Sequence, residues 1–345
     1  MIKERIKKWG EFEGKEVFQY TLSNKKGVTV KILNYGGTLT DIITPDRGGV
    51  MGNVTLGFAS LEGYLKGNPF FGSLVGRYAN RIANAQFTLD GKTYHLAPNS
   101  NGNCLHGGIK GFDKKVWEAV LDPDKELLQL TYKSPDGEEG FPGNLTTTVR
   151  YSLSEDNELR IDYKAITDAA TPVNLTNHAY FNLSAGKDPD VLDHELMLKS
   201  GYYTTTNDKI IPTGDLVPVQ GTPFDFNTAK KIGKDIAGTG SGYDHNFVLG
   251  NPSGELQFFS SLYHAKSGRV MESYTTQPGV QLYTANFLDM PTEFTPGNIK
   301  YGKHAGVCLE TQHYPDSPNQ PAFPGTILRP GENFHHITVY KFSVK

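Results

Sequence analysis

Glycine and proline recur at short intervals along the whole chain and divide it into short runs rich in β-branched and aromatic residues. This spacing is typical of many short β-strands joined by turns. Apolar residues with helical periodicity hardly occur, and the two candidate helices, at residues 60–65 and 228–236, are short enough to be connectors. The sequence therefore predicts an all-β protein.

The clearest pair of strands lies within residues 144–166, where apolar and polar residues alternate on both sides of a polar turn at residues 154–157. Two alternating strands joined by a short turn form a hairpin. Similar runs occupy residues 28–33, 39–43, 127–132, 257–263, 279–284 and 335–344. No linker or internal repeat interrupts the chain, so we predict one domain over residues 1–345, with two large sheets packed face to face.

Composition excludes several classes of protein. The formal net charge is -3 and no basic stripe is present, which argues against nucleic acid as a partner. No run approaches the ~20 consecutive apolar residues that span a membrane, and the positively charged residues 1–10 lack the apolar segment of a secretion signal. Cys104 and Cys308 are too few for a disulfide framework, so we expect free thiols and a cytoplasmic location.

The sequence also lacks the motifs of several catalytic chemistries. It contains no G-x-S-x-G, P-loop, H-E-x-x-H or paired C-x-x-C motif. The glycine-rich residues 238–242 are followed by Tyr-Asp-His-Asn rather than by a helix, which argues against a nucleotide site. The ten histidines do not show the spacing that places two imidazoles on one ion. We therefore expect neither a metal nor a cofactor.

Two polar clusters in the first third of the chain are candidate binding segments. Residues 76–82 place Arg77, Asn80 and Arg81 between apolar residues, and arginine donors suit a ligand rich in oxygen. The alternative interpretation is that these arginines lie at the rim of a surface loop and bind no ligand. His106 precedes two glycines, a context that lets the backbone approach a ligand closely, although a histidine that closes a turn is an equally simple interpretation.

Two further clusters contain candidates for proton transfer. His178 lies between an asparagine and an aromatic segment, and strand alternation predicts that it shares a face with Tyr180 and Asn182. An imidazole in that setting is well placed to hold a proton near neutral pH. Glu310 follows three apolar residues, where desolvation raises the pKa of a carboxyl group toward that of a usable base. Such carboxylates also occur in structural ion pairs, so that interpretation remains open.

In this order, the clusters and several longer segments resemble the aldose 1-epimerase (galactose mutarotase) family over nearly the whole chain. The segments that carry the resemblance are LNYGG, GRYANRI, LHGGIKGFDKKVW, NHAYFNL, YDHNF, QPGVQLYTANFLD, CLETQHYPDSPNQPAFP and LRPGENF.

The resemblance implies a large antiparallel β-sandwich and a cofactor-free isomerase. It implies that His178 is the catalytic acid and Glu310 the catalytic base. It also implies that sugar hydroxyls are held by Asn80, Arg81, His106, Asp244 and Gln281. Tyr180 and Phe287 are candidates for stacking on a sugar face, although both suit a core equally well.

The implied reaction interconverts the α and β anomers of free aldohexoses such as galactose and glucose, by ring opening, rotation about C1–C2 and ring closure. The expected partner is a monosaccharide, and the expected assembly is a monomer or a homodimer. Two alternatives remain open at this stage. One is a glycoside hydrolase of sandwich fold, which normally needs two carboxyl groups. The other is a non-catalytic carbohydrate-binding protein.

Overall fold

The computed structural model describes residues 2–251 and 253–345. Strands dominate the described residues. In the first half they are β1 (Ile6–Phe12), β2 (Lys15–Ser23), β3 (Thr29–Leu33), β4 (Leu39–Pro45), β5 (Met51–Asn53), β6 (Leu74–Val75), β7 (Arg81–Ile82), β8 (Gln86–Leu89), β9 (Lys92–His95), β10 (Cys104–Leu105), β11 (Glu118–Asp122), β12 (Leu127–Ser134), β13 (Leu145–Leu153) and β14 (Glu158–Thr167).

The second half is built in the same way. Its strands are β15 (Thr171–Pro172), β16 (Thr176–Asn177), β17 (Glu195–Leu198), β18 (Tyr202–Thr206), β19 (Pro212–Pro218), β20 (Lys230–Lys231), β21 (Asp244–Val248), β22 (Gln257–Tyr263), β23 (Arg269–Thr275), β24 (Gly279–Tyr283), β25 (Cys308–Gln312), β26 (Ile327–Leu328) and β27 (Phe334–Val344).

Helical structure in the described residues is limited to short pieces. One is an α-helix, α1 (Leu61–Leu65). The others are 3₁₀ turns at Ile2–Arg5, Ala83–Ala85, Phe112–Lys114, Glu138–Gly140, Ile232–Lys234, Ile236–Thr239, Thr292–Phe294, Pro296–Asn298 and Ser317–Asn319. No helix among the described residues is long and apolar enough to cross a membrane.

Three antiparallel sheets form the framework of the molecule. The first has the order β1-β2-β3-β4-β5. The second, which we call the large sheet, has the order β11-β12-β13-β14-β27-β23-β22-β17-β20. The third, which we call the site sheet, has the order β19-β18-β21-β24-β25. The prediction of an all-β sandwich is therefore confirmed.

The predicted hairpin is present as β13 and β14. The two strands pair antiparallel from Leu145 opposite Thr167 to Leu153 opposite Leu159, and the predicted turn joins them. Alternate side chains of each strand are buried, as the alternation predicted. The other six predicted strands are also present, with ends shifted by at most two residues, as β3, β4, β12, β22, β24 and β27.

The large sheet and the site sheet pack against each other across the apolar core. Leu309 of β25 and Tyr340 of β27 belong to one buried cluster. The Tyr340 hydroxyl donates to the backbone oxygen of Leu309 over 3.1 Å, and the hydroxyls of Thr311 and Thr338 lie 2.6 Å apart. These polar contacts fix the position of β25 against the large sheet, because a buried hydroxyl without a partner costs stability.

Of the two predicted helices, only the first is present. Residues 61–65 form α1, whereas residues 228–236 contain β20 and the 3₁₀ turn Ile232–Lys234. Lys230 pairs with Leu196 and Lys231 with Glu195, so this segment adds an edge strand to the large sheet. Tertiary pairing therefore overrides a weak local preference for a helix.

Arg77, one of the two arginines of the first polar cluster, is buried in the framework and does not line a ligand site. Its side chain is 2% exposed. It donates from Nε to Ser134 Oγ, from Nη2 to the backbone oxygens of Ser134 and Pro135, and from Nη1 to those of Pro142 and Gly143, over 2.7 to 3.0 Å. The planar guanidinium therefore links two loops at five acceptor positions.

We predict that Arg77→Lys lowers the free energy of unfolding by about 2–5 kcal/mol, because one ammonium cannot reach both pairs of carbonyl oxygens and leaves buried acceptors unpaired. Urea denaturation followed by circular dichroism measures this effect. Arg150→Lys is the matched control, since Arg150 is exposed and donates to one side chain, Gln129; a change within about 0.5 kcal/mol is expected. Equal effects of the two substitutions would contradict this role of Arg77.

Candidate active site

One face of the site sheet carries the polar side chains of Asp244, Tyr283 and Glu310, which line the candidate site. In the register of β21, β24 and β25, Gln281 lies opposite Glu310 on one side and opposite Asn246 on the other. Tyr283 lies between Asp244 and Cys308 in the same way. Residues two apart along a strand share a face, so these side chains form one polar surface. The opposite face supplies core residues: Phe247, Val280, Leu282 and Leu309.

A cleft of about 230 Å³ opens above this polar face. Six of the seven residues implied by the family resemblance line it, whereas Gln281 does not. Aromatic and apolar side chains complete its walls. The lining residues are Pro69, Phe70, Asn80, Arg81, Leu105, His106, His178, Tyr180, Ile210, Asp244, Tyr283, Phe287 and Glu310.

His178 and Glu310 are neighbours in this cleft, although 131 positions separate them in the chain. Nε2 of His178 lies 3.5 Å from Oε1 of Glu310, and the two residues are 4% and 2% exposed. The other oxygen, Oε2 of Glu310, is buried and has no hydrogen-bond partner among the described residues. An acidic group therefore faces an imidazole with one oxygen, while its other oxygen is buried without a hydrogen-bond partner among the described residues.

The imidazole of His178 is held by packing and by its backbone. The backbone N–H donates to the backbone oxygen of Ser73 over 2.9 Å. The ring stacks on Tyr180 with centroids 5.0 Å apart and planes 19° from parallel. The Tyr180 hydroxyl in turn donates to the backbone oxygen of Pro69 over 2.9 Å. The ring is therefore fixed before a ligand enters.

The prediction that Asn182 shares a face with His178 is wrong. Strand β16 ends at Asn177, so the alternation expected through residue 182 is interrupted. The Asn182 amide donates to the backbone oxygen of Ala305 over 2.9 Å, and its oxygen accepts from the Ser184 hydroxyl. Asn182 therefore stabilises a buried loop and does not line the cleft.

Two hydrogen bonds join His106 and Asn80. The backbone N–H of Asn80 donates to Nδ1 of His106 over 3.1 Å, and the N–H of His106 donates to the backbone oxygen of Asn80 over 2.9 Å. Because Nδ1 accepts, a neutral His106 carries its proton on Nε2, which makes this atom a hydrogen-bond donor. Gly107 is required next to it, since a Cβ atom there would lie 1.9 Å from the backbone oxygen of Gly76.

The charged binding candidates Arg81 and Asp244 line the same cleft as Glu310. Arg81 is half-buried, and its backbone N–H donates to Oδ1 of Asn80 over 2.9 Å. Asp244 accepts at Oδ1 a 2.7 Å hydrogen bond from Nε2 of Gln281. Gln281 is 3% exposed and lies behind Asp244. It is therefore placed to orient the Asp244 carboxylate.

Burial shifts the pKa values of the ionisable groups in the cleft. The pKa of Glu310 is raised well above its usual value, by burial first and by the Asp244 charge second, while Arg81 opposes the shift. Burial lowers the pKa of His178 to about 4, and its own backbone carbonyl acts in the opposite direction. Burial therefore opposes the expectation of a ring protonated near neutral pH, because desolvation favours the neutral imidazole.

Phe70 is a cleft residue that sequence reasoning missed. Its ring lies 4.6 Å from the His106 ring and 5.8 Å from the His178 ring, measured between centroids. Its φ angle is +67°, a left-handed conformation that is rare for an aromatic residue. The oxygen of Asn68 stabilises this turn by accepting from the backbone N–H of Phe71 over 2.7 Å. A residue in a short loop has no periodicity, so no pattern indicated that it faces the site.

Three side chains that are able to coordinate a metal ion also come together in the cleft. Their potential metal-binding atoms, in His106, His178 and Glu310, lie within 4.8 Å of one another. The spacing of histidines along the sequence could not indicate this, because the three residues come from distant segments. The expectation of a metal-free site stays a prediction.

Comparison with known proteins assigns the chain to a family. The family model described as aldose 1-epimerase matches residues 19–341. The galactose mutarotase of Rattus norvegicus is 48% identical over 318 residues, covering 92% of each chain, and that of Homo sapiens is 49% identical over 317 residues, covering 91% of each. The aldose 1-epimerase of Escherichia coli K12 is 39% identical over 330 residues, covering 93% of this chain and 94% of the bacterial one.

Solved structures agree with this assignment. An aldose epimerase homologue from C. elegans superimposes with a TM-score of 0.87 at 29% identity, covering 94% of this chain and 98% of that one. A galactose 1-epimerase from Lactobacillus acidophilus superimposes with a TM-score of 0.84 at 29% identity, covering 98% of each chain. The sequence and the fold lead to the same conclusion: this chain belongs to the aldose 1-epimerase family.

Proposed function

We propose that this chain interconverts the α and β anomers of free aldohexoses such as galactose and glucose, with His178 as the acid and Glu310 as the base. The observation that supports this proposal most directly is the 3.5 Å approach of an imidazole and a carboxyl group inside a buried cleft. The activity of the family as an isomerase supports it as well.

The geometry suits this reaction because its two proton transfers occur at neighbouring atoms. The hydroxyl that loses a proton and the ring oxygen that gains one are both bonded to C1 of the sugar. Two catalytic groups in van der Waals proximity can therefore reach both atoms at once. One positioned acid or base contributes about 10² to 10⁴ in rate, so a pair is sufficient without further chemistry.

His178 and Glu310 together hold one proton before and after each step of the proposed cycle. In the ring-opening step, ionised Glu310 takes the proton of the C1 hydroxyl while protonated His178 donates from Nε2 to the ring oxygen. The products are an open-chain aldehyde, a neutral carboxyl group and a neutral imidazole. Rotation about C1–C2 then exposes the other face of the carbonyl group, and ring closure returns both protons.

Burial favours the neutral form of the pair, because it raises the pKa of Glu310 and lowers that of His178. The neutral form and the charged form differ only by the transfer of one proton between Oε1 and Nε2. A bound sugar and the neighbouring Arg81 favour the charged form, since they supply the polar contacts that burial removed. No proton needs to enter from solvent.

The remaining polar groups are proposed to hold sugar hydroxyls. Among the residues that line the cleft, Arg81, Asn80 and His106 supply donors and Asp244 supplies an acceptor. Gln281 is proposed to act on the sugar through Asp244, which it holds by the 2.7 Å hydrogen bond. Among the aromatic candidates for stacking, Phe287 is 71% exposed and lines the cleft. It is therefore not a core residue, and its ring is accessible to a sugar.

The alternatives are weaker explanations of the same cleft. A glycoside hydrolase must hold sugar on both sides of the cleaved bond, whereas a volume of about 230 Å³ lies below the ~300 Å³ at the lower end of typical ligand pockets and suits one ring. A protein that only binds sugar has no need for a buried ionisable pair, which lowers stability.

We propose the remaining features from the sequence. The chain forms one domain, acts as a monomer or homodimer in the cytoplasm, and needs neither a metal nor a cofactor. A basic stripe for nucleic acid is absent from the sequence, which supports a small molecule as the partner.

We predict that His178→Asn and Glu310→Gln each lower kcat for mutarotation by about 10²- to 10⁴-fold, since each removes one proton-transfer group. Polarimetry of freshly dissolved α-galactose and α-glucose measures the rate. His335→Asn is the control, because His335 contacts Asp162 on the exposed side of the large sheet and leaves the rate unchanged. Wild-type turnover by either cleft variant, or release of new reducing ends from oligosaccharides, would reject the proposal.

We predict a bell-shaped dependence of kcat/KM on pH, because the working pair holds one proton. The acid limb falls as a second proton binds to His178, with its midpoint near the pKa of about 4. The alkaline limb falls as the last proton leaves the pair, at a pH well above the usual carboxyl pKa. Stopped-flow polarimetry across this range tests the shape, and a flat profile from pH 4 to pH 10 contradicts it.

We predict that Glu310→Gln stabilises the protein, and that the gain grows with pH. A raised pKa in the folded state means that the folded chain binds more protons than the unfolded chain above the usual carboxyl pKa. Wild-type stability therefore falls as pH rises through the shifted pKa, whereas glutamine has no proton to lose. Thermal unfolding at pH 4.5 and at pH 8 measures the difference in Tm, and an equal difference at both pH values would contradict the raised pKa.

A further inference from the structure

Both ring nitrogens of His178 face side chains of the same strand. Nε2 lies 3.5 Å from Oε1 of Glu310, and Nδ1 lies 3.5 Å from Sγ of Cys308. Cys308 and Glu310 are two residues apart on β25, so they project from the same face about 6–7 Å apart. The imidazole therefore lies along the strand, with one nitrogen next to each residue.

We propose that Cys308 is a positioning residue for proton transfer: its sulfur keeps a proton on Nδ1 of His178, so that Nε2 alone exchanges a proton with Glu310 and the sugar. This inference rests on the proposed function. Cys308 itself does not touch the sugar, since it is fully buried and does not line the cleft.

The thiol is suited to this task because it stays neutral. Burial raises the pKa of Cys308 well above its usual value, and the charges of Glu310 and Asp244 raise it further. A neutral thiol accepts a hydrogen bond weakly through sulfur. It therefore orients the Nδ1–H group without the strong stabilisation of imidazolium that an ionised carboxylate gives at this position in a catalytic triad.

A weak hydrogen-bond acceptor at Nδ1 leaves the imidazolium of His178 a strong acid. The ring oxygen of a cyclic sugar is a poor base, so a strong acid is needed to protonate it, and an imidazolium with a low pKa is such an acid. A carboxylate or a hydroxyl at Nδ1 would stabilise imidazolium and weaken it as an acid.

The other groups around the ring are neutral or act on Glu310. His106 lies 5.3 Å from the His178 ring, with a pKa lowered well below its usual value by burial first and by nearby positive charges after it. Tyr180 and Tyr283 lie 5.0 and 6.3 Å away, with pKa values raised by burial. Phe70, which carries no charge, also lies against the ring, and the charged residues Arg81 and Asp244 act on Glu310.

The test compares Cys308→Ala and Cys308→Ser with the wild type in two measurements. The first is ¹⁵N NMR of the His178 ring. We expect the neutral wild-type ring to carry its proton on Nδ1 and Cys308→Ala to show a mixture of tautomers. In Cys308→Ser the titration midpoint of His178 moves up by about half a pH unit or more, because a hydroxyl is a stronger acceptor than a thiol.

The second measurement is the pH dependence of kcat. We expect Cys308→Ala to lower kcat about 10-fold or more with KM changed less than about twofold, since the sulfur orients the acid without binding the sugar. In Cys308→Ser the acid limb moves up in pH together with the NMR titration. Cys104→Ala is the control: it also removes a buried thiol, it lies outside the cleft, and it keeps the wild-type tautomer and acid limb.

The two claims fail in different ways. Wild-type tautomer, titration and pH profile in both Cys308 variants would overturn the role of Cys308, as would changes equal to those of Cys104→Ala. Absence of mutarotation by the wild type would reject the proposed function, while the NMR measurements would still decide whether the sulfur fixes the tautomer.

Discussion

The central constraint of this molecule is the burial of two ionisable side chains next to each other. His178 and Glu310 are both under 5% exposed, and their facing atoms are 3.5 Å apart. Burial makes two charges costly, so the pair is most stable when Glu310 holds the one proton and neither group is charged. The surrounding strands and loops hold the two side chains in this buried arrangement, although the charged form of each would be more stable in water.

The site sheet provides that framework through the alternation of its strands. One face contributes Leu309 and Val280 to the core, and the other presents Glu310 and Gln281. A slip of one residue in the register would exchange the two faces and bury polar groups in the core, so core packing also fixes the position of the cleft residues. Contacts such as the hydrogen bond from Tyr340 to the backbone oxygen of Leu309 attach this sheet to the large one. Stability and site geometry therefore depend on the same strands.

Much of the fold was predictable from alternation. The hairpin of β13 and β14 was recognisable because polar and apolar residues alternate on both strands across a short turn. The helix predicted at residues 228–236 was wrong, because Lys230 and Lys231 pair with the edge of the large sheet, a contact between distant segments that a local pattern does not contain. Position in the chain likewise gave no indication that Arg77 points into the framework while Arg81, four residues later, lines the cleft.

The candidate site was predictable only where segments had distinctive residue types. Resemblance to a family implied His178 and Glu310, and the cleft contains both, although their roles stay a prediction. Phe70 lies in a short loop without periodicity, and Cys308 looked like an ordinary buried apolar residue of a strand. The protonation state of His178 could not be predicted from the sequence either, because its low pKa arises from burial by residues of several distant segments.

The neutral state of the buried pair is tested most directly by infrared difference spectroscopy of the wild type against Glu310→Gln at pH 6, without sugar. We expect a carbonyl stretch of a protonated carboxyl group that disappears in the variant and shifts in deuterated water, because the pair keeps its single proton on Glu310. If the difference spectrum contains only the bands of an ionised carboxylate, Glu310 is charged in the absence of sugar and the neutral pair is contradicted.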